Sequence, residues 1–121
     1  MDRIILKGLT FMGHLGITED EQAQPQPIMI DILMQCDLHP AGLSDQISDT
    51  VNYHLVYERV KALAEEKRFN LIEALAEEIA AHILVVEKKI RTVEVKIKKI
   101  SPPIDGQYEY FGVSIERTRD D

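Results

Sequence analysis

The fold turns on the stretch Ile28-Met29-Ile30-Asp31-Ile32-Leu33-Met34-Gln35-Cys36-Asp37-Leu38. Ile28, Ile30, Ile32, Met34, Cys36 and Leu38 occupy every second position, with Asp31, Gln35 and Asp37 between them. Side chains along a strand alternate between two faces, so this pattern predicts a strand with one buried face. Upstream, Ile4 to Phe11 has apolar residues at strand-like spacing, until Gly13-His14-Leu15-Gly16 breaks the run. Residues 18–27 then read as a polar loop with two prolines. Downstream, His39 to Asp49 reads as a connection opened by Pro40 and carrying Gly42, Ser44 and Asp45.

Two helical patterns follow. Asn52 suits a helix cap, and after it Tyr53, Val56, Tyr57, Val60, Leu63 and Ala64 recur at helical spacing. Beyond Asn70, the stripe Leu71, Leu75, Ile79, Ile83 and Val86 predicts a second helix. Val93 to Ile100 and Tyr110 to Arg117 read as the last two strands, separated by Ser101-Pro102-Pro103-Ile104-Asp105-Gly106. Proline donates no ladder hydrogen bond, so pairing must stop or bulge there. The order is strand, strand, helix, helix, strand, strand. It predicts an α+β domain over residues 1–121, with a four-stranded antiparallel sheet and two helices inserted between strands 2 and 3. Such a sheet has open edges, and oligomerisation is one way to cover them.

Composition narrows the function classes. At 121 residues, 45% hydrophobic and 29% charged, the chain suits one small globular core. A net charge of −7 removes any chain-wide electrostatic case for nucleic acid. Cys36 is the single cysteine, so neither an internal disulfide nor a thiolate metal cluster is expected. His14, His39, His54 and His82 lack the close pairing of zinc sites. Met1-Asp2-Arg3-Ile4 opens no long apolar run, so neither a signal peptide nor a membrane span is expected, and the expected location is cytoplasmic.

Lys99 is the most informative side chain. Counting by two from Val93, Val95 and Ile97 puts it on their apolar face, while Glu94, Lys96 and Lys98 point the other way. A desolvated lysine has a lowered pKa, which suits a general base or a Schiff-base amine. The plainer alternative is that Lys99 snorkels to water where the strand ends before Pro102. Glu73 stands three residues after Asn70, the spacing of a capping box. A carboxylate at a helix mouth can also accept paired N–H groups from a flat heterocycle, a charge-assisted bond. Glu21 within Glu19-Asp20-Glu21, and Tyr53 at the first helix start, stand out by no physical argument alone. His54 reads as a surface or interface histidine.

Taken in order, these residues resemble the dihydroneopterin aldolase family along nearly the whole chain. The resemblance is carried by Leu6-Lys7-Gly8 with Phe11 and Gly13, by Gly16 followed by Glu21, and by Asp49-Thr50-Val51-Asn52-Tyr53. It continues through Asn70-Leu71-Ile72-Glu73 with Leu75-Ala76-Glu77, and ends with Lys99 before Pro102-Pro103-Ile104. It implies a tunnelling fold, rings of four subunits or octamers of two rings, and active sites between subunits. It implies that Glu73 anchors a pterin with the backbone at Ile72 and Val51, and that Tyr53 approaches from a neighbouring subunit. Glu21 and Lys99 would form the polar pair at the reacting side chain. Gly13-His14-Leu15-Gly16 lacks the aromatic-histidine pair of many relatives, and Gln107-Tyr108-Glu109-Tyr110-Phe111 is unusually aromatic.

The implied activity is retro-aldol cleavage of 7,8-dihydroneopterin, in folate biosynthesis, to 6-hydroxymethyl-7,8-dihydropterin and glycolaldehyde, with side-chain epimerisation alongside. The pterin's own imine can take the electrons, so no metal, cofactor or Schiff base is expected. The alternatives are an epimerase acting on dihydroneopterin triphosphate, a lysine Schiff-base aldolase, and a non-catalytic pterin- or purine-binding oligomer.

Overall fold

A computed structural model describes residues 1–119. At its centre is strand β2 (Gln26–Gln35), in which Ile28, Ile30, Ile32 and Met34 are fully buried. On one side β2 pairs antiparallel with β1 (Arg3–Leu15), and on the other with β4 (Thr92–Lys99), which pairs in turn with β5 (Phe111–Thr118). Two helices cover one face. In α3 (Tyr53–Glu66), Val56, Val60 and Ala64 pack mainly on β1. In α4 (Ile72–Val86), Leu75, Ala76, Ile79, Ala80 and Ile83 pack on β4 and β5. Asn52 caps α3 as its residue type suggests, its side-chain oxygen accepting the Leu55 N–H at 3.3 Å.

The sheet differs from the expected four antiparallel strands. It is five-stranded and mixed, in the order β3-β1-β2-β4-β5, because β3 (Arg68–Phe69) runs parallel to His14–Leu15. β1 does not stop at Gly13. It continues to Leu15 and offers a free edge that a two-residue segment between the helices can reach. Gly13 lets the last turns of α3 come close to β1, since a Cβ there would lie 3.4 Å from the Ala64 carbonyl oxygen and 3.2 Å from Ile28 and Leu15 side-chain atoms. A two-residue strand has no periodicity to read. The stretches expected as loops also hold short helices, α1 (Glu19–Ala23) and α2 (His39–Ser44), with a 3-10 turn over Ile47–Asp49.

No described helix covers the opposite face of the sheet, yet Asp31 on that face is nearly buried. The reason is a bulge. The β1–β2 register shifts between Leu6 and Leu9, and Gly8 takes a φ of 74°, which favours glycine. The Gly8 N–H turns to the Asp31 carboxylate at 2.8 Å, and the Lys98 ammonium lies 3.2 Å from its other oxygen. Burial opposes ionisation of Asp31, but the Gly8 N–H and Lys98 outweigh it and hold the carboxyl below its usual range.

Asp31→Ala should lower the unfolding free energy by about 1.5–3 kcal/mol at neutral pH, as expected for a charged hydrogen bond. A depressed folded pKa stabilises above the unfolded value of about 3.9, and that stability is lost as pH falls through the folded pKa. In denaturant titrations the gap between wild type and variant should therefore hold at neutral pH and close in acid. A gap unchanged in strong acid would exclude the ionised carboxylate as its source.

Candidate active site

The β4 ladder determines where Lys99 lies. As the last residue of β4, opposite Ile28 on one side and Phe111 on the other, it continues the face of the fully buried Val93, Val95 and Ile97. Regular structure ends there, so its side chain leaves the core and is 18% exposed. The ammonium lies 3.9 Å from Glu21 Oε2. Alternation and strand ending are thus both true of Lys99, and the end of the strand opens onto a cavity.

Glu21 reaches Lys99 through a capping box. The Glu21 N–H donates to Thr18 Oγ1 at 3.1 Å, and Glu21 Oε1 receives the Thr18 hydroxyl at 3.1 Å and the Thr18 N–H at 3.4 Å. Oε2 is left to face Lys99. Gly16 makes the approach possible: its φ is 137°, and a Cβ there would collide with Glu21 Cβ and the Glu21 carboxyl.

Glu73 enters from the first turn of α4. The expected Asn70–Glu73 capping box is not made. The helix starts one residue later, with Leu71 at the cap position and no side-chain cap, and Asn70 Oδ1 accepts from Gln22 Nε2 at 2.6 Å instead. Among the described residues, the Glu73 side chain has no hydrogen-bond or ion-pair partner, and the residue is exposed. Glu21, Glu73, Lys99 and Ile72 all line one cavity of about 350 Å³. Its other walls include Phe111, Pro102 and Pro103, and Ile17, Leu71 and Ile104 on its rim are exposed apolar residues. The charged lining is two carboxylates and one ammonium, with no arginine and no second lysine.

Val51 and Tyr53 are elsewhere. Val51 is fully buried, and Tyr53 is 62% exposed at the start of α3. The opposite end of α3 abuts β1, where Ala64 approaches Gly13. Eleven residues at 1.5 Å each separate Tyr53 from Ala64, roughly 16 Å of helix. Tyr53 is therefore far along α3 from the end that abuts β1, and it does not line the cavity of its own chain. His54 is exposed, 3.7 Å from Glu58, and takes no part.

Reading along the sequence missed Gln22 and Phe111. Phe111 is opposite Lys99 in the ladder, so the count that finds Lys99 also reaches it. Tyr108 stacks on Phe111 with ring centroids 4.6 Å apart, and its hydroxyl lies within bonding distance of the Pro102 and Ile104 carbonyls. The aromatic segment thereby pins the proline wall. Gln22 had no signal in a single chain, since its partner is 48 residues away. Gly16→Ala should displace the Glu21 carboxylate from Lys99 in a crystal structure of the variant. It should also lower stability by about 1–3 kcal/mol in denaturant unfolding, because φ there is positive. An unmoved Glu21 would refute the steric role of Gly16.

Comparison with known proteins places this chain in a family. The dihydroneopterin aldolase (FolB) family model matches residues 4–116. The dihydroneopterin aldolase of Streptococcus pyogenes serotype M1 is 40% identical over 119 residues, covering 98% of this chain and all of that one. A FolB structure from Vibrio cholerae superposes with a TM-score of 0.90 at 31% identity, over 98% of each chain. The structure of E. coli dihydroneopterin aldolase in complex with neopterin superposes with a TM-score of 0.86 at 32% identity, over 97% of this chain and 99% of that one. With family match, sequence identity and fold agreeing over nearly its full length, the chain belongs to the dihydroneopterin aldolase family.

Proposed function

We propose that the cavity binds 7,8-dihydroneopterin and cleaves it to 6-hydroxymethyl-7,8-dihydropterin and glycolaldehyde. The observation that carries this reading is that Glu73, whose side chain has no partner among the described residues, lines the same apolar-walled cavity as the Lys99–Glu21 pair. Its volume of about 350 Å³ falls in the range of small-molecule sites. Glu73 accepts the pterin's ring amide and amino N–H groups, and the α4 backbone at Ile72 supplies further contacts. At the other end, Lys99 and water take the proton from the second side-chain hydroxyl, while Glu21 orients the hydroxyls. That hydroxyl oxygen becomes the aldehyde carbonyl as the bond between the first and second side-chain carbons breaks. The electron pair enters the ring's imine, and a proton returned to the first carbon completes the product. Re-addition to the other face of glycolaldehyde, before release, gives the epimer. The imine sink needs neither a metal nor a Schiff base.

Tyr53 serves the site of a neighbouring copy, whereas Val51, with no exposed surface, stays a core residue of its own chain. The distance along α3 supports this, as does the exposure of apolar surface at both ends: Tyr53 and Leu55 on one, Ile17, Leu71 and Ile104 on the other. The long edges of β1 and β5 are also unpaired among the described residues, apart from the contact of β1 with β3. Head-to-tail assembly that closes into a ring, a tetramer or a stacked octamer, covers both. The triphosphate epimerase reading is weaker, because the single cation this chain contributes to its own cavity is Lys99 and its carboxylates there would repel a polyphosphate.

Incubation with 7,8-dihydroneopterin and, separately, its triphosphate should yield glycolaldehyde from the first far faster than any product from the second. Lys99→Ala should lower turnover by ~10²–10⁴-fold with neopterin binding retained. Glu73→Ala should weaken binding by roughly 10–100-fold, the equivalent of a charged hydrogen bond. Full turnover in Lys99→Ala would refute the proton-transfer role, and a borohydride-trapped adduct on Lys99 would favour the Schiff-base route. Co-refolding inactive Tyr53→Ala with inactive Lys99→Ala should restore about a quarter of native activity, since random rings form some sites with both native residues. No recovery would place Tyr53 outside the shared site.

A further inference from the structure

Residues 70–73 carry two incompatible instructions. Asn-x-x-Glu is a capping-box signature, and a helix started at Asn70 would draw both side chains onto its own backbone. In the structure α4 starts one residue later, and Leu71 at its cap is extended, with φ −128° and ψ 141°. Asn70 Oδ1 is occupied by Gln22. The Gln22 amide gives one hydrogen to Asn70 at 2.6 Å and the other to the Gly16 carbonyl at 3.0 Å, so both donors are used. Its backbone carbonyl is held in turn by His14 Nδ1 at 2.7 Å. A carbonyl only accepts, so the ring nitrogen there carries the hydrogen. Gln22 is thus anchored to β1 on one side and grips the entry of α4 on the other. A capping box is made a few residues away, at Thr18 and Glu21.

From this geometry we infer that Gln22 is a positioning residue that keeps the Asn70–Glu73 capping box from forming. By holding Asn70 off the helix, it delays the start of α4 by one residue. Glu73 then has no backbone duty and its carboxylate stays in the cavity, beside first-turn N–H groups that no side chain caps. Without Gln22, Asn70 swings onto the Glu73 N–H, Leu71 turns helical, and Glu73 reaches back to the Asn70 N–H. The helix gains a cap and the cavity loses its anchor. The inference rests on Glu73 being the pterin anchor.

The test uses the whole protein as wild type, Gln22→Leu, Asn70→Ala and the double variant, with neopterin as the probe. Gln22→Leu should weaken neopterin binding about tenfold, the size of a typical cap. KM for dihydroneopterin should rise in step, with kcat nearly unchanged. Asn70→Ala should weaken binding less, because alanine cannot cap. The double variant should bind more tightly than Gln22→Leu alone. A Gln22–Asn70 bond that merely fastens two segments predicts the reverse: the double variant no tighter than Gln22→Leu, which would overturn the inference. Hydrogen exchange over residues 71–74 gives a readout independent of pterin. Protection at Glu73 should rise in Gln22→Leu and return to the wild-type level in the double variant, and no rise would also overturn it. Failure of the wild type to bind neopterin would refute the pterin reading, while exchange would still decide the role of Gln22.

Discussion

Every part of the cavity depends on the antiparallel ladder between β2 and β4. Ile28, Ile30, Ile32 and Met34 are opposite Lys99, Ile97, Val95 and Val93, and all but Lys99 are fully buried. Side chains alternate strictly in a strand, so a slip of one residue would send the whole apolar set to the uncovered face. The core therefore imposes the register, and the register places Lys99. The lysine tolerates this face because it is the last residue of its strand, where the helix layer ends and Glu21 supplies an opposite charge. Asp31 and Lys98 mark the same ladder from the other side, where the Gly8 bulge brings a backbone N–H to a carboxylate that would otherwise be poorly solvated.

Periodicity reveals what repeats. The four long strands and two long helices lie within a few residues of where alternation and the 3.6-residue stripe put them, because each buries one continuous face. The fifth strand was illegible: two residues have no period, and Arg68–Phe69 becomes a strand only because β1 overruns Gly13 and leaves an edge beside it. The short helices α1 and α2 were hidden for a similar reason. Neither buries any residue, so neither shows an apolar stripe. α1 is held by its Thr18–Glu21 cap, which shares its spacing with the Asn70–Glu73 pair that does not form.

The site divides along the same line. Lys99 was legible because a strand places it. Glu73 and Glu21 exchange places: the residue at capping-box spacing from Asn70 lines the cavity uncapped, and the acidic residue that no physical argument singled out is the one in a capping box. Local spacing alone could not separate them, because the deciding contacts come from far along the chain. Gln22 removes the cap from one helix, and Gly16 leaves room for the carboxylate of the other. Tyr53 was legible only through resemblance. Within one chain it does not line the cavity, and its proposed role rests on a neighbouring copy.

The cavity forms where several elements stop. β4 ends at Lys99, β1 ends before Gly16, α1 is a single turn, α4 begins at Ile72, and prolines forbid the ladder from continuing beyond Ser101. Ends of elements carry backbone groups that their own hydrogen-bond pattern cannot satisfy. A core would require such groups to be capped, and a binding site needs some of them left free. The contrast between the helix starts at Thr18 and Leu71 follows from this. Where Glu21 must be held still against Lys99, the cap is made. Where the proposed pterin would take up the N–H groups and the carboxylate of α4, a side chain from another segment holds Asn70.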